Sequence, residues 1–361
     1  MFFYDWEQRK LGDVANFFDE KRVPIDSGKR ISGKYPYYGA TGIIDYVNDY
    51  IFDGEYVLLA EDGANITMRN SPVAYITTGK FWLNNHAHIL KMIDGSNNFL
   101  IQILENQDYE KFNSGTAQPK LNGKVVKGLH FYFPSSQEQQ IVGLFFKQLD
   151  DTITLHQRKL YKLKQLKQGY LQQLFPKPGE TVPKIRFANF EGVWEKRKLE
   201  DIIISEIKGK AKAEMYGTAS PYLETNYLNG GEISYVNSPK NVDEDDVIIL
   251  WDGSQAGTVY HGFKGALGST LKAYSPKESG KFLYQYLKLK QQVIYDSYRT
   301  PNIPHVIKTF AKEFNVHFTC YEEQNKIGIL LNQLDETTAL YQSKIDKLKL
   351  MKKGFLQKMF I

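Results

Sequence analysis

The chain has 361 residues, 42% hydrophobic and 24% charged, which is typical of a globular protein with room for two or three domains. Its formal net charge of +5 permits a nucleic-acid partner without requiring one. A lone cysteine, Cys320, excludes a disulfide framework and a multi-cysteine zinc site. There is no membrane-spanning apolar run and no signal-peptide layout, so we expect a cytoplasmic protein.

Two phrases of the sequence occur twice and divide the chain into halves. The phrase WEQRKLGDV at residues 6–14 returns as WEKRKLEDI at 194–202, with six identical residues in nine. Each phrase opens a globular segment that leads into a long predicted helix, at 139–175 and again at 324–360. These helices align at an offset of 185 residues with 17 identities in 37 positions. An internal repeat of this kind decides the architecture.

The first globular segment, residues 15–135, is predicted to be a mixed α/β domain. It is rich in Tyr, Gly, Asn and β-branched residues, which favour strands and turns. Its predicted elements in chain order are a buried strand at 56–60, a turn at 61–65, a strand region at 81–92, a short helix at 97–106, a polar loop at 113–120 and a last strand near 129–133.

The second globular segment, about 195–318, has the same order of elements with a different surface. Residues 246–253 mirror the first buried strand and its turn, and the acidic run at their start is predicted to be a solvated turn. The loop at 297–305 takes the place of the first polar loop. Elsewhere the two segments barely match. Between the halves, residues 175–184 contain three prolines and a glycine, which predicts a helix end and a semi-rigid linker.

Both long helices carry the pattern of a coiled coil. Residues recur at alternating steps of four and three, the spacing with which two helices bury a shared stripe. Packing on two separate cores is the alternative, but helix length and duplication favour pairing. His156, Lys167, Thr338 and Lys352 interrupt the apolar stripe. The predicted seam consists of Leu149, Ile153, Leu160, Leu163, Tyr170, Leu174, Leu334, Tyr341, Ile345, Leu348, Phe355 and Met359.

The order of these motifs resembles the specificity subunit of a type I DNA restriction-modification system. WExRKL opens each target-recognition segment of that family, and FPKPGETVPKIRF followed by Trp194 is similar to its central junction. Residues 163–175 and 348–360 match the LxxLKxxLLQxxF helix end. One departure is that the first half starts at Met1 without a counterpart of residues 183–187, which suggests a shortened N-terminus or a late start codon.

The resemblance implies an α+β fold with a pseudo-twofold internal repeat. Two mixed α/β target-recognition domains are joined by two long conserved helices, which form an antiparallel coiled coil. The predicted divisions are 1–136 for the first recognition domain, 137–175 for the first conserved helix, 176–193 for the proline-rich linker, 194–320 for the second recognition domain and 321–361 for the second conserved helix.

The resemblance also implies a non-catalytic protein that recognises a specific DNA sequence. Each domain would read one half of a bipartite site in double-stranded DNA, and the helices would space the halves and dock two methyltransferase (M) subunits. Restriction motor-nuclease (R) subunits would join, making the complex an adenine-N6 methyltransferase and ATP-dependent endonuclease. No cofactor is expected on this chain, because S-adenosylmethionine, ATP and Mg belong to the partner subunits. No membrane partner is expected.

The motifs of rival functions are missing from the sequence. There is no Asp/Asn-Pro-Pro-Tyr/Phe tetrapeptide of an adenine methyltransferase and no GxxxxGK[ST] phosphate loop. His86 and His88 would share one face of a strand, but they lack a third ligand, so no metal is expected. A free-standing DNA-modifying enzyme and a coiled-coil scaffold that does not read DNA remain the alternatives.

Residues that contact DNA are predicted from their chemistry. Base edges are read by forked donors and acceptors, whereas phosphates attract lysine, arginine and backbone amides. An ordinary polar loop is the alternative at each position. The predicted DNA-binding residues are Arg69, Asn84, Asn85, His86, Gln118 and Lys120 in the first domain, and Ser254, Gln255, Lys272, Arg299, Asn302 and His305 in the second.

Overall fold

The computed structural model describes residues 6–115 and 118–360. The predicted start at Met1 and two residues of the first polar loop, Thr116 and Ala117, lie outside the described residues. The chain folds into two compact units. Unit 1 comprises residues 1–157 together with 343–361, and unit 2 comprises residues 158–342. Each long helix therefore contributes one half to each unit, whereas the predicted divisions were consecutive segments of the chain.

Within the described residues, unit 1 contains ten strands, four short α-helices and the first half of one long helix, and the last half of the second long helix also belongs to it. They are β1 (Glu7–Lys10), α1 (Leu11–Val14), β2 (Ala15–Phe17), β3 (Ser32–Gly39), β4 (Gly42–Val47), β5 (Phe52–Asp53), β6 (Tyr56–Ala60), α2 (Asn65–Met68), β7 (Ala74–Thr77), β8 (Lys80–Leu83), β9 (Ala87–Met92), α3 (Asn97–Asn106), α4 (Gly123–Lys127), β10 (His130–Phe133) and α5 (Ser136–Gln173).

The strands of unit 1 form three sheets. One is antiparallel in the order β2-β9-β6-β7, and a second has the order β4-β3-β8-β5 with β3 and β8 parallel. β1 and β10 form an antiparallel ribbon. The central strand β6 is buried on both faces, because Val57 and Leu59 face the main core around α3 and Leu58 faces a second core with Phe81. A strand buried on both faces reads as a continuous apolar run, as YVLLA does.

Within the described residues, unit 2 contains nine strands and five short α-helices, together with the last half of α5 and the first half of a second long helix. They are β11 (Glu195–Lys198), α6 (Leu199–Ile202), β12 (Ile203–Lys208), β13 (Tyr216–Leu223), α7 (Thr225–Leu228), β14 (Tyr235–Val236), β15 (Val247–Leu250), β16 (Val259–His261), β17 (Ala266–Leu267), β18 (Leu271–Pro276), α8 (Gly280–Leu289), α9 (Gln291–Ser297), α10 (Phe310–Glu313), β19 (Asn315–Phe318) and α11 (Tyr321–Met359).

The topology of unit 2 repeats that of unit 1 although the two globular segments barely match in sequence. Its sheets have the orders β12-β18-β15-β16 and β14-β13-β17, with β13 and β17 parallel, beside the ribbon of β11 and β19. α8 occupies the place of α3. In both helices the serine at the N-cap, Ser96 or Ser279, accepts a hydrogen bond from the backbone three residues later, at 3.3 Å.

The end of each long helix packs into the unit that contains the other repeat's globular segment. In unit 1, Phe360 at the end of α11 meets Trp6 and Phe99, with ring centroids 5.7 and 5.3 Å apart. In unit 2, Phe175 after α5 meets Trp194 and Phe282, at 6.2 and 5.5 Å. In each unit, the aromatic contact therefore joins the WExRKL phrase of one repeat to the helix end of the other repeat. These are the two parts of the sequence that are duplicated.

The long helices contact each other in opposite directions within each unit. In unit 1, Lys352 of α11 pairs with Asp150 of α5 at 2.7 Å. In unit 2, Lys167 of α5 pairs with Asp335 of α11 at 2.5 Å. In unit 1, Phe145 also meets Phe355, so five residues forward along α5, from 145 to 150, correspond to three residues backward along α11, from 355 to 352. In unit 2, Lys159 lies over the ring of Tyr341, so eight residues forward, from 159 to 167, correspond to six residues backward, from 341 to 335.

The predicted seam residues are all buried or half-buried, but several of them pack on the globular cores. Leu174 is part of the main core of unit 2, and Phe355 and Met359 pack on the core of unit 1. Both ends of the predicted seam are therefore used by the globular cores. The buried seam residues are Leu149, Ile153, Leu160, Leu174, Leu334 and Ile345, and the half-buried ones are Leu163, Tyr170, Tyr341, Leu348, Phe355 and Met359.

One prediction about local structure was wrong, and a second holds only in part. Residues 81–92 form two strands, β8 and β9, separated by a turn in which the side-chain oxygen of Asn84 accepts the backbone N–H of His86 at 2.9 Å. His86 therefore precedes β9 and does not share a strand face with His88. The acidic run before β15 is not fully solvated, because Asp246 is buried and accepts the backbone N–H of Asp243 at 2.8 Å. Within the described residues, no helix combines the length and apolar character of a membrane span.

Two glycines of α5 give a test of how closely α3 approaches it. A Cβ at Gly143 would lie 2.6 Å from Ser96 Oγ and 2.7 Å from the Phe99 backbone nitrogen, whereas one at Gly169 would meet nothing closer than 3.9 Å. We expect Gly143→Ala to destabilise the protein by about 1–3 kcal/mol through overpacking. Gly169→Ala should stabilise it by about 1 kcal/mol, the helix preference of alanine over glycine. Urea unfolding midpoints measure both, and equal midpoints for the two variants would contradict the close approach.

Candidate nucleic-acid interface

In each unit the central buried strand ends in an Asp-Gly turn that binds a polar loop from later in the chain. In unit 1, the N–H of Gly63 donates to the carbonyl of Pro119 at 3.0 Å. In unit 2, the N–H of Gly253 donates to the carbonyl of Pro304 at 2.9 Å. Both glycines have positive φ, 107° and 117°, which a side chain would disfavour. We call this combination, residues 61–63 with 113–115 and 118–120 in unit 1 and residues 251–253 with 298–305 in unit 2, the turn–loop surface of each unit.

Each polar loop is closed by one of its own side chains. In unit 1, Asn113 Oδ1 accepts the backbone N–H groups of Gly115 and Lys120, both at 2.9 Å. In unit 2, the Thr300 hydroxyl accepts the backbone N–H of His305 at 3.3 Å and lies 2.9 Å from its ring Nδ1. Asn and Thr are residues that make such local bonds readily. These bonds hold the described residues of both loops in place.

Four predicted residues of unit 1 lie around its turn–loop surface. His86 Nδ1 is 2.8 Å from the Asp62 carboxylate, and Asn85 precedes it in the same turn. Lys120 Nζ is 3.6 Å from Glu61, and Gln118 lies against Gly63. All four side chains are exposed, so their remaining donors and acceptors can reach a partner.

The other two predicted residues of unit 1 are placed differently. Asn84 is only 4% exposed, and its amide serves the turn between β8 and β9, so we leave it out of the candidate interface. Arg69 is engaged with the end of α3. Its guanidinium donates to the carbonyl of Gln107 and lies 5.4 Å from the ring centre of Tyr109.

A network of charged side chains lies beneath this surface, and sequence reasoning missed it. His88 is 1% exposed, with Nδ1 2.7 Å from Asp19 and Nε2 2.8 Å from the Leu121 carbonyl. Arg22 donates to Glu61 at 2.6 Å. Burial raises the pKa of Asp19, but the hydrogen bond and charge of His88 outweigh it, so the pKa is lowered from 3.8. The network fixes the chain on both sides of the turn–loop contact.

In unit 2, the predicted residues gather around Asp252 and Gly253. Arg299 donates to the Ser254 carbonyl at 3.1 Å and stacks over Tyr295, 4.7 Å from the ring centre. Lys208, which the sequence analysis missed, pairs with Asp252 at 2.8 Å, and nothing in a spacing of 44 residues signals this. The predicted residues of this group are Ser254, Gln255, Arg299, Asn302 and His305, with Ser254, Gln255 and Asn302 exposed.

Lys272 is the exception in unit 2. Its ammonium lies 3.7 Å above the Trp251 ring and pairs with Glu206, and its side chain is mostly buried. It therefore supports the residue before the turn rather than extending from the surface.

The two surfaces present polar and charged side chains beside the Asp-Gly turns. Within residues 6–115 and 118–360, no three His, Cys, Asp or Glu side chains are grouped to hold a metal ion. Histidine, lysine, arginine and amide side chains stand beside fixed backbone turns. Such side chains bind base edges and phosphates.

The lowered pKa of Asp19 predicts a pH-dependent contribution to stability. A carboxyl whose folded pKa lies below its ordinary value, here 3.8, stabilises the protein fully above that value and loses the effect as the pH falls through the lowered pKa. We expect Asp19→Asn to lower the free energy of unfolding by about 1.5–3 kcal/mol at pH 7. The loss should shrink below pH 3.8.

Urea titrations of the wild type and Asp19→Asn across this pH range measure the effect. Asp26→Asn is the matched control, because Asp26 forms an exposed pair with Lys29 at 3.5 Å, and the loss of such a pair costs at most about 1 kcal/mol. A loss at Asp19 that stays constant through the acid range would contradict the assignment.

Known proteins are similar to this chain in both sequence and fold. A putative type I restriction enzyme specificity subunit of Haemophilus influenzae is 41% identical over 140 residues, which are 38% of this chain and 36% of that protein. The MjaVIII specificity subunit of Methanocaldococcus jannaschii, from a type I restriction enzyme, is 33% identical over 178 residues, 46% of this chain and 42% of that protein. The matches thus span less than half the length of these two curated relatives.

The fold has a solved counterpart. The crystal structure of a type I restriction-modification S subunit from M. genitalium superposes with a TM-score of 0.75 at 18% identity, covering 99% of this chain and 96% of that one. This supports the α+β architecture with its internal repeat, which is confirmed. Specificity subunits of this family are non-catalytic, as predicted. The family model for the type I restriction modification DNA specificity domain matches residues 4–165 and again 191–350, so the chain belongs to that family.

Proposed function

We propose that this chain is the DNA-reading subunit of a type I restriction-modification complex, in which each unit reads one half of a bipartite site in double-stranded DNA. One observation carries the proposal. The two turn–loop surfaces are held by equivalent backbone hydrogen bonds, at Gly63 and Gly253, but present different side chains. A shared frame with two sets of reading groups is what a site with two different halves requires.

The side chains of the two surfaces suggest a division of roles; among those named here, Arg299 and His305 are half-buried and the others are exposed. Lys120 and Arg299 carry the positive charges, Lys120 suited to phosphate and Arg299 to phosphate or a guanine edge. The amides of Gln118, Gln255 and Asn302 are exposed and can donate and accept at once, as an adenine edge requires. His86 and His305 complete the two surfaces. Catalysis and its cofactors, S-adenosylmethionine, ATP and Mg, belong to the partner subunits.

We propose that α5 and α11 form a single antiparallel coiled coil that spaces the two half-sites. The support is the register of their contacts, in which the pair Asp150–Lys352 of unit 1 is the repeat equivalent of Asp335–Lys167 of unit 2. Equivalent pairs at equal steps in opposite directions are what an antiparallel pair with an internal twofold repeat produces.

The outer faces of the long helices suggest where two methyltransferase (M) subunits dock. Leu155 and Leu340 are equivalent at the offset of 185, and they are 51% and 53% exposed. Leu144 and Ile329, eleven residues earlier and so three turns away on nearly the same face, are exposed as well. Exposed apolar residues that recur in both repeats indicate two copies of one partner, to which the restriction (R) subunits would be added.

Half-site reading is tested by the methylation pattern of cells that express the chain with its methyltransferase subunit. Gln118→Ala with Lys120→Ala should relax or change only one half of the methylated site, and Asn302→Ala with His305→Ala only the other. Removing Lys120 should also lower the salt slope of DNA binding by about one unit, the contribution of one phosphate contact.

Lys29→Ala is the control for the first pair, because Lys29 is an exposed lysine outside both turn–loop surfaces. It should leave the methylated sequence unchanged. If a pair of substitutions in one unit altered both half-sites, the two units would not read DNA separately, and the proposal would be wrong.

Docking of the methyltransferase subunits is tested on the repeated leucines. Leu155→Asp and Leu340→Asp should each remove one methyltransferase copy from the complex, and the double variant should remove both, because a carboxylate cannot be buried unpaired in an apolar interface. Light scattering of the purified complexes gives the stoichiometry.

The chain offers a matched control for these aspartates. Tyr161 is also an exposed apolar residue of α5, but the equivalent position in α11 is already an aspartate, Asp346. Tyr161→Asp should therefore leave the stoichiometry unchanged. Full assembly of the Leu155→Asp, Leu340→Asp double variant would place the docking site elsewhere.

A further inference from the structure

In each unit, side chains from three helices meet at one aspartate. In unit 1, the Asp150 carboxylate of α5 accepts hydrogen bonds from Lys352 of α11 at 2.7 Å and from the side-chain amide of Gln102 of α3 at 3.4 Å. In unit 2, the Asp335 carboxylate of α11 accepts hydrogen bonds from Lys167 of α5 at 2.5 Å and from the side-chain amide of Gln285 of α8 at 2.8 Å. We call each group the aspartate junction of its unit.

The two junctions are chemically identical and combine buried glutamines with partly exposed carboxylates, because the Asp150 and Asp335 side chains are 38% and 35% exposed. Gln102 and Gln285 are 1% and 0% exposed, and their amide oxygens have no hydrogen-bond partner among the described residues. The lysines occupy seam positions where the heptad pattern calls for an apolar residue. Polar groups at such positions lower stability but specify register, because a shifted helix leaves them unpaired.

The charge of the junction in unit 2 is also felt by its neighbours. Burial, and next the positive charge of Lys167, lower the pKa of Lys288, while Asp335 opposes the shift. Burial and the negative charge of Asp335 raise the pKa of Tyr284 to about 12. Both residues belong to α8, so the charges of Lys167 and Asp335 act electrostatically on the helix of the globular segment.

The helix of each globular segment touches the long helix at a second point, seven residues before the aspartate. In unit 1, this point is Gly143, where a Cβ would lie 2.7 Å from the Phe99 backbone nitrogen. In unit 2, it is Gly328, where a Cβ would lie 2.8 Å from the Phe282 backbone nitrogen. Two contacts about two turns apart fix both the position and the angle of the smaller helix.

We propose that Asp150 and Asp335 are positioning residues that fix each DNA-reading segment to the helix pair and so restrict the complex to one spacer length between the half-sites. This inference rests on the proposed function. In each unit, the carboxylate that pairs the two long helices also binds the helix of the globular segment, α3 in unit 1 and α8 in unit 2. A slip of either contact therefore disturbs the other, and the reading segment can adopt only one placement on its helices.

The test is the spacer length in the methylated sites of cells expressing the complex. Asp150→Asn keeps the size of the side chain and an acceptor for Gln102, but it removes the charge that pairs with Lys352. We expect the variant to read the same two half-sites but to methylate spacers one base pair longer or shorter as well, which the wild type leaves unmodified. Asp335→Asn should give the same result from the other unit.

Two further variants separate positioning from general stability. The charge exchange Asp150→Lys with Lys352→Asp restores an ion pair and should return the complex to a narrower set of spacers than Asp150→Asn gives. Asp151→Asn is the matched control, because Asp151 is the next residue, exposed, and paired with Lys147 at 2.6 Å on the outer face. It should leave the spacer unchanged.

The outcomes distinguish this inference from the function on which it rests. If Asp150→Asn and Asp335→Asn lower the methylation rate but keep the single wild-type spacer, the aspartates only stabilise the fold and the positioning role is wrong. If the wild-type complex methylates without reading two half-sites, the proposed function is wrong, and the positioning role falls with it.

Discussion

The fold depends on an aromatic contact between the start of each globular segment and the end of the other repeat's long helix. Phe360 reaches Trp6 and Phe99, and Phe175 reaches Trp194 in the same way. Aromatic side chains bury roughly 150–250 Å² each, so these contacts are among the largest in either core. Once Phe360 is bound in unit 1, the last half of α11 must run back along the first half of α5. The antiparallel contacts within each unit follow from this constraint.

The polar groups then refine what the apolar groups begin. Leucine and isoleucine hold two helices together without fixing which turn faces which, whereas the lysine, the aspartate and the glutamine amide of each aspartate junction pair with one another in one register only. The same separation holds at the turn–loop surfaces. The buried strand Tyr56–Ala60 supplies a rigid base. The exposed loop at the end of this strand carries side chains that can be substituted without disturbing the core.

The sequence predicted the architecture well because its signals were local or duplicated. The run Tyr56–Ala60 and the helix Asn97–Asn106 were found within their own segments, and the repeat located both long helices. The errors arose where distant residues decide the outcome. Nothing near His88 indicates that Asp19 and the Leu121 carbonyl will bind its two ring nitrogens, and the burial of Asn84 depends on a turn hidden in an apolar stretch. Only the fold shows such pairings.

Unit 1 is formed by two separate stretches of the chain, and this determines when it can form during synthesis. Unit 2 is one continuous stretch of chain, whereas unit 1 needs residues 343–361, made 185 residues after its own first part ends. At roughly 5–20 residues per second, translation leaves an interval of about 10–40 s. During that interval Trp6 and Phe99 have no Phe360 to cover them. A ribosome that stalls late therefore releases a chain whose second unit is nearly whole and whose first unit has an open apolar core, the kind of surface that chaperones bind.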